Sequence, residues 1–138
     1  MRSFFKGLCC LFILLGANTY GSTLLVLGDS LSAGYGIDPA KGWVNLLRTD
    51  LSPDHKIING SISGDTTGGG LARLPLLLNK FEPDFVFLQL GGNDGLRGRP
   101  LRLMKKTLSH IIDLCKEANA VPIQFGMRIP PNHGRRST

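Results

Sequence analysis

Leu24-Leu25-Val26-Leu27-Gly28-Asp29-Ser30-Leu31-Ser32 is the stretch that decides how the rest of the chain is read. Four consecutive apolar residues stop abruptly at a glycine and an aspartate, the pattern of a short buried strand and its exit. In an α/β protein the exit of a buried parallel strand lies on the sheet rim where ligands and chemistry gather. A serine just past that exit is a candidate nucleophile, provided that oxyanion donors and a base come from elsewhere.

Working outward, strands and helices alternate. Residues 23–27 are predicted as the first strand and 43–51 as a helix with Val44, Leu47 and Leu51 on one face, ended by Ser52-Pro53. Residues 56–59 form a short second strand. A helix over about 67–80 follows, with Leu71, Leu74 and Leu78 at spacings of three and four. The nearly unbroken apolar run over 85–90 predicts a third strand covered on both faces. Pro100 suits the first position of a last helix, where its missing N–H costs nothing. On that helix Leu101, Met104, Leu108, Ile111, Cys115 and Ala118 form one stripe opposite Arg102, Lys106, His110, Asp113 and Glu117. Residues 121–126 are a fourth strand, with Pro122 tolerable near its start.

This alternation implies right-handed crossovers and a parallel sheet. The loops over 28–36, 60–70, 91–98 and from Met127 onward then converge on one rim. Glycines crowd the first three, allowing a backbone to approach a ligand closely.

The 138 residues suffice for one domain with a real core, and 42% hydrophobic with 19% charged residues excludes disorder. The formal charge is +6. Arg97, Arg99, Arg102, Lys105 and Lys106 carry no interleaved aromatics, so no nucleic-acid partner is expected. Arg2 and Lys6, the uncharged apolar residues 8–17 and Thr19-Tyr20-Gly21 have the layout of a secretory signal peptide over 1–21. The expectation is a periplasmic or secreted protein whose mature domain covers 22–138. The apolar stretch falls well short of the ~20 residues that span a bilayer, so no stable membrane insertion is expected. Cys9 and Cys10 lie in the presumed signal, and Cys115 falls on an apolar helix face as an inert buried thiol. No His/Cys cluster has metal-ligand spacing, and no metal is expected.

Three loops each offer one piece of an acyl-transfer site. Ser30 supplies a hydroxyl and, at the start of a helical turn, a backbone N–H. Ser63-Gly64-Asp65 offers the unobstructed Gly64 N–H, and Gly91-Gly92-Asn93-Asp94 offers the neutral amide of Asn93. Donors of this kind are worth roughly 3–4 kcal/mol each in a transition state. Singly each piece has a plainer reading: Ser30 or Asp65 as a helix cap, the glycines as turns. The chain has no G-x-x-x-x-G-K-[ST] and no G-x-S-x-G.

Together, Gly28-Asp29-Ser30-Leu31-Ser32-Ala33-Gly34-Tyr35-Gly36, Ser63-Gly64-Asp65-Thr66-Thr67 with Arg73-Leu74-Pro75, and Gly91-Gly92-Asn93-Asp94-Gly95 resemble the first three sequence blocks of the SGNH (GDSL) hydrolases. The likeness is to the bacterial periplasmic thioesterase I, arylesterase and lysophospholipase branch, and Arg128-Ile129-Pro130-Pro131-Asn132 resembles its stretch after the fourth strand. The resemblance implies a three-layer α/β/α, flavodoxin-like parallel sheet, here lacking the last strand and helix. It implies Ser30 as nucleophile, with Ser30 N–H, Gly64 N–H and the Asn93 amide as oxyanion hole. It also implies no cofactor, a small-molecule acyl ester or thioester substrate, and a monomer.

The family's fourth block, D-x-x-H, has no counterpart. The residues three before His55, His110 and His133 are Ser52, Thr107 and Pro130, none of them acidic. His55 precedes the second strand, at the opposite end of the sheet, and His110 lies on the solvent face of a helix. His133 follows the fourth strand on the correct rim, but no nearby aspartate would fix its tautomer. The expectation is therefore a C-terminally truncated hydrolase of weak or absent activity. The alternative is a non-catalytic acyl-ligand-binding fragment or a non-functional product.

Overall fold

The computed structural model describes residues 21–128. Residues 1–20 of the expected signal peptide, with Cys9 and Cys10, lie outside the described residues, as does His133. Four parallel strands make one sheet in the order β2-β1-β3-β4. They are β1 (Ser22–Gly28), β2 (His55–Asn59), β3 (Phe85–Gln89) and β4 (Val121–Gln124). The helices are α1 (Ser30–Ala33), α2 (Trp43–Leu51), α3 (Thr67–Phe81), α4 (Gly92–Leu96) and α5 (Leu101–Glu117), with a 3-10 turn over Pro39–Lys41.

The expected α/β order therefore holds, with boundaries moved by one or two residues. Two elements were not foreseen, α4 and the 3-10 turn. Both are too short to show a hydrophobic period, and α4 is opened by two glycines. Pro100 stands just before α5 rather than inside it, and Pro75 lies within α3. There it removes one helical hydrogen bond, a loss set against the burial of Leu74 and Leu78 on the same face.

Alternation along β1 sends side chains to two separate cores. Leu25 and Leu27 pack with Leu74, Leu78, Val86, Leu88, Leu108, Ile111 and Cys115 under α3 and α5. Leu24 and Val26 face the other way, toward Val44 of α2 and Ile57. The result is three layers, helix on sheet on helix.

Coverage of the two faces is unequal, which corrects the expectation for β3. Phe85 and Phe87 are only half-buried, because among the described residues α2 is the main cover on their side while α3 and α5 share the other. Trp43, Phe87 and Phe125 form a cluster with ring centroids 5.6 Å apart in both pairs. On the outer strand Val121 and Ile123 are exposed. The α5 stripe is likewise buried only in its middle: Leu108, Ile111 and Cys115 are covered, whereas Leu101 and Ala118 are exposed.

Cys115 is the inert thiol expected, since burial pushes its pKa up to about 11. At pH 8 Cys115 of the native protein, with Cys9 and Cys10 replaced by serine, should react with a soluble disulfide reagent far more slowly than it does in denaturant. A stoichiometric fast reaction of the native thiol would show that α5 is not seated as described.

Candidate active site

Parallel pairing places the ends of β1 and β3 side by side, with Gly28 opposite Gln89. Immediately beyond, Asp29 caps α1 by accepting from the Leu31 N–H at 3.0 Å, and Ser30 becomes the first residue of that single turn. Asp29 is buried, so its carboxylate needs a further partner. Gln89 is that partner. Its Nε2 donates to Asp29 Oδ1 at 3.0 Å, while its Oε1 accepts from the Ser32 hydroxyl at 2.6 Å and the Asp29 N–H at 3.3 Å. The carboxamide thus holds the serine turn from beneath.

Gly28 is required by this packing. A Cβ there would stand 2.7 Å from Ser32 Cβ and 2.9 Å from Gln89 Oε1, closer than side chains come without displacement. Asn59, at the end of β2, completes the support by donating to the Ser32 carbonyl at 2.8 Å.

The second loop carries Gly64 at φ +79°, a left-handed conformation that favours glycine. Its carbonyl accepts from Arg97 at 3.0 Å. The Gly64 N–H and the Ser30 N–H have no acceptor among the described residues. On the third loop, Asn93 Nδ2 donates one hydrogen to the Asp65 carbonyl at 2.8 Å, leaving its second free. The next residue, Asp94, is buried and accepts from both the Thr67 N–H and hydroxyl at 2.8 Å, which ties α4 to the start of α3.

A cavity of about 190 Å³ is lined by Asp29, Ser30, Leu31, Gly92, Asn93, Leu96, Met127 and Arg128. Ser30 and Asn93 therefore share one hollow, as the convergence of loops predicts. Gly64 is exposed beside it and joined to it through Asp65 and Asn93 rather than lining the wall. A wider hollow of about 590 Å³ between the C-terminal ends of α3 and α5 contains no serine, cysteine or histidine. It lies at the opposite end of the sheet and has none of the acyl-transfer groups.

Of the histidines, His55 begins β2 at the far end of the sheet, opposite Ser22, and His110 is exposed on α5. No side chain among the described residues hydrogen-bonds the Ser30 hydroxyl. Sequence reasoning also passed over Gln89, Asn59 and Asp94. Gln89 had a visible signal: one carboxamide in an otherwise apolar strand has to find buried partners.

With this geometry in view, the comparisons with known proteins are direct. Residues 26–138 match the GDSL-like lipase/acylhydrolase family. The chain belongs to that family. An arylesterase from Vibrio mimicus is 50% identical over 128 residues, which cover 91% of this chain and 64% of that protein. The Escherichia coli thioesterase 1/protease 1/lysophospholipase L1 is 48% identical over 114 residues, 83% of this chain and 55% of the relative. The structure of the psychrotrophic Pseudoalteromonas esterase EstA, inhibited by monoethylphosphonate, superposes with a TM-score of 0.77 at 44% identity, covering 84% of this chain and 65% of that one. The chain thus spans between about half and two thirds of the length of these relatives. The GDSL membership agrees with the three-layer fold.

Replacing Gln89 with leucine should lower stability by about 2–4 kcal/mol, because the Asp29 carboxylate and Ser32 hydroxyl lose a buried partner. Denaturant unfolding measures the loss. A change below about 0.5 kcal/mol, the range of ordinary surface substitutions, would mean that water replaces the carboxamide at no cost.

Proposed function

We propose that this chain carries the nucleophile and oxyanion hole of a serine hydrolase acting on carboxylic esters or thioesters. The observation that carries the reading is the shared cavity of Ser30 and Asn93, with the Ser30 and Gly64 N–H groups without an acceptor among the described residues. The family membership and the arylesterase and thioesterase names of the relatives support the same chemistry.

In this reading Ser30 Oγ attacks the acyl carbon, and the carbonyl oxygen takes up the negative charge. The Asn93 amide and the two backbone N–H groups stabilise that charge without needing to reorganise. Collapse of the tetrahedral intermediate expels the alcohol or thiol and leaves an acyl-serine, which water then hydrolyses. The Ser30 proton has to be removed during attack. The 138 residues contain no D-x-x-H, and neither His55 nor His110 is placed to take that proton. A polypeptide of these 138 residues alone is therefore proposed to acylate slowly, since a serine hydrolase without its base turns over about 10⁴–10⁶ times more slowly.

Reaction with an activated aryl phosphonate, followed by intact mass, tests the nucleophile directly. One adduct should form and be absent from Ser30→Ala, and Asn93→Ala should slow its formation about 10²–10³-fold. An adduct that survives Ser30→Ala would remove Ser30 from the reading. Aryl acetate hydrolysis at the rate of a full triad enzyme would overturn the slow-acylation proposal.

Export to the periplasm or medium is proposed on the charged start, Arg2 and Lys6, and the apolar stretch over 8–17. N-terminal sequencing of the protein from cells should begin at residue 22, and a start at Met1 would refute it.

A further inference from the structure

Arg73 lies on α3, lines no wall of the Ser30 cavity, and has no role in the chemistry described so far. Its guanidinium nevertheless reaches the ends of β1 and β2 and the loop that carries Gly64. Nε and one terminal nitrogen both stand 2.8 Å from Asp65 Oδ2. The other terminal nitrogen donates to the Gly60 carbonyl, just past β2. The nitrogen paired with Asp65 also reaches the Gly28 carbonyl, the last of β1, at 3.5 Å. This is the only ion pair among the described residues, with side chains 20% and 11% exposed.

Asp65 transmits that restraint to the donors. Its backbone carbonyl accepts the Asn93 amide at 2.8 Å, its Oδ1 accepts the Thr66 N–H at 2.9 Å, and its own N–H donates to Ile62. Ile62 in turn donates to Gly28. Gly64 is therefore held between two restrained residues. One planar cation with donors in a fixed fork spans three chain segments, a geometry that a lysine's single ammonium centre cannot reproduce.

We propose that Arg73 is a positioning residue for the oxyanion hole, setting the Asn93 amide and the Gly64 N–H against Ser30 by fixing Asp65. The inference rests on the acyl-serine reading for its catalytic meaning, but not for its structural content. Displacement of a donor by a fraction of an ångström weakens a preorganised interaction while leaving the fold intact.

Two readouts test it. In a 15N-labelled protein, Arg73→Lys should shift or broaden the Asn93 side-chain amide signals while those of Asn79, at the far end of the sheet, stay put. In the second, an aryl phosphonate bonds through phosphorus to Ser30 Oγ, expels the phenolate and gives the serine proton to solvent. Arg73→Lys should slow this labelling roughly 10–100-fold, with a melting temperature within a few degrees of wild type. In an Asn93→Ala background most of that slowing should vanish, because the route through the amide is already gone. Asp65→Asn, which removes the charge but keeps the shape, should behave like Arg73→Lys and serves if the lysine variant does not fold.

An unmoved Asn93 amide in the folded variant overturns the proposal, whatever the labelling shows. So does a slowing that is undiminished without Asn93, which would make Arg73 a general staple of the fold. Absence of Ser30 labelling in wild-type protein counts against the acyl-serine reading instead, and leaves the amide measurement to decide the role of Arg73.

Discussion

The carboxamide of Gln89 is the contact on which the architecture of the rim turns. A central strand as buried as β1 has to end in a polar turn without water to satisfy it. Gln89, directly across the register from Gly28, offers an acceptor to Ser32 and the Asp29 N–H and a donor to the Asp29 carboxylate. One side chain thus meets three needs in a space that only a glycine at position 28 leaves open. The place of Ser30 follows from this arrangement: the turn cannot rotate without breaking several buried hydrogen bonds together.

The other two loops are held by the same economy of means. Asp94 anchors α4 to the N-terminal end of α3, Asn93 reaches back to Asp65, and Asn59 braces the turn of α1 from β2. Each bond joins segments that follow different strands. A parallel sheet brings those segments to a common edge, and short polar side chains then lock them at hydrogen-bonding distance. The apolar layers beneath supply rigidity, more so under α3 and α5 than on the side of α2, where Phe85, Phe87 and the outer strand remain partly open.

In the proposed reaction the described residues would supply charge stabilisation more completely than proton transfer. A serine hydroxyl beside free N–H groups and an amide is equipped to bind an oxyanion. Raising the nucleophilicity of that hydroxyl calls for a base in contact with it. Those two functions come from separate groups, so loops can display one of them without the other.

The amino-acid sequence determined the order of elements, the parallel sheet and the identity of Ser30, Gly64 and Asn93 as the groups to watch. Apolar periodicity and glycine-rich strand exits are local signals, and the three blocks that resemble the SGNH hydrolases are contiguous. Cys115 was legible for the same reason, as a position on a helix stripe. The tertiary structure alone decided which polar side chains support these groups. Gln89, Asp94 and Arg73 act on residues far away in the chain, through contacts created only when the strands align. It also decided how far each apolar run is covered, because burial of Phe87 or Leu101 depends on what packs above them rather than on their own spacing. The serine two residues past the first strand was a candidate by position; it shares a cavity with an asparagine because β3 and the α4 turn after it bring Gln89 and Asn93 alongside.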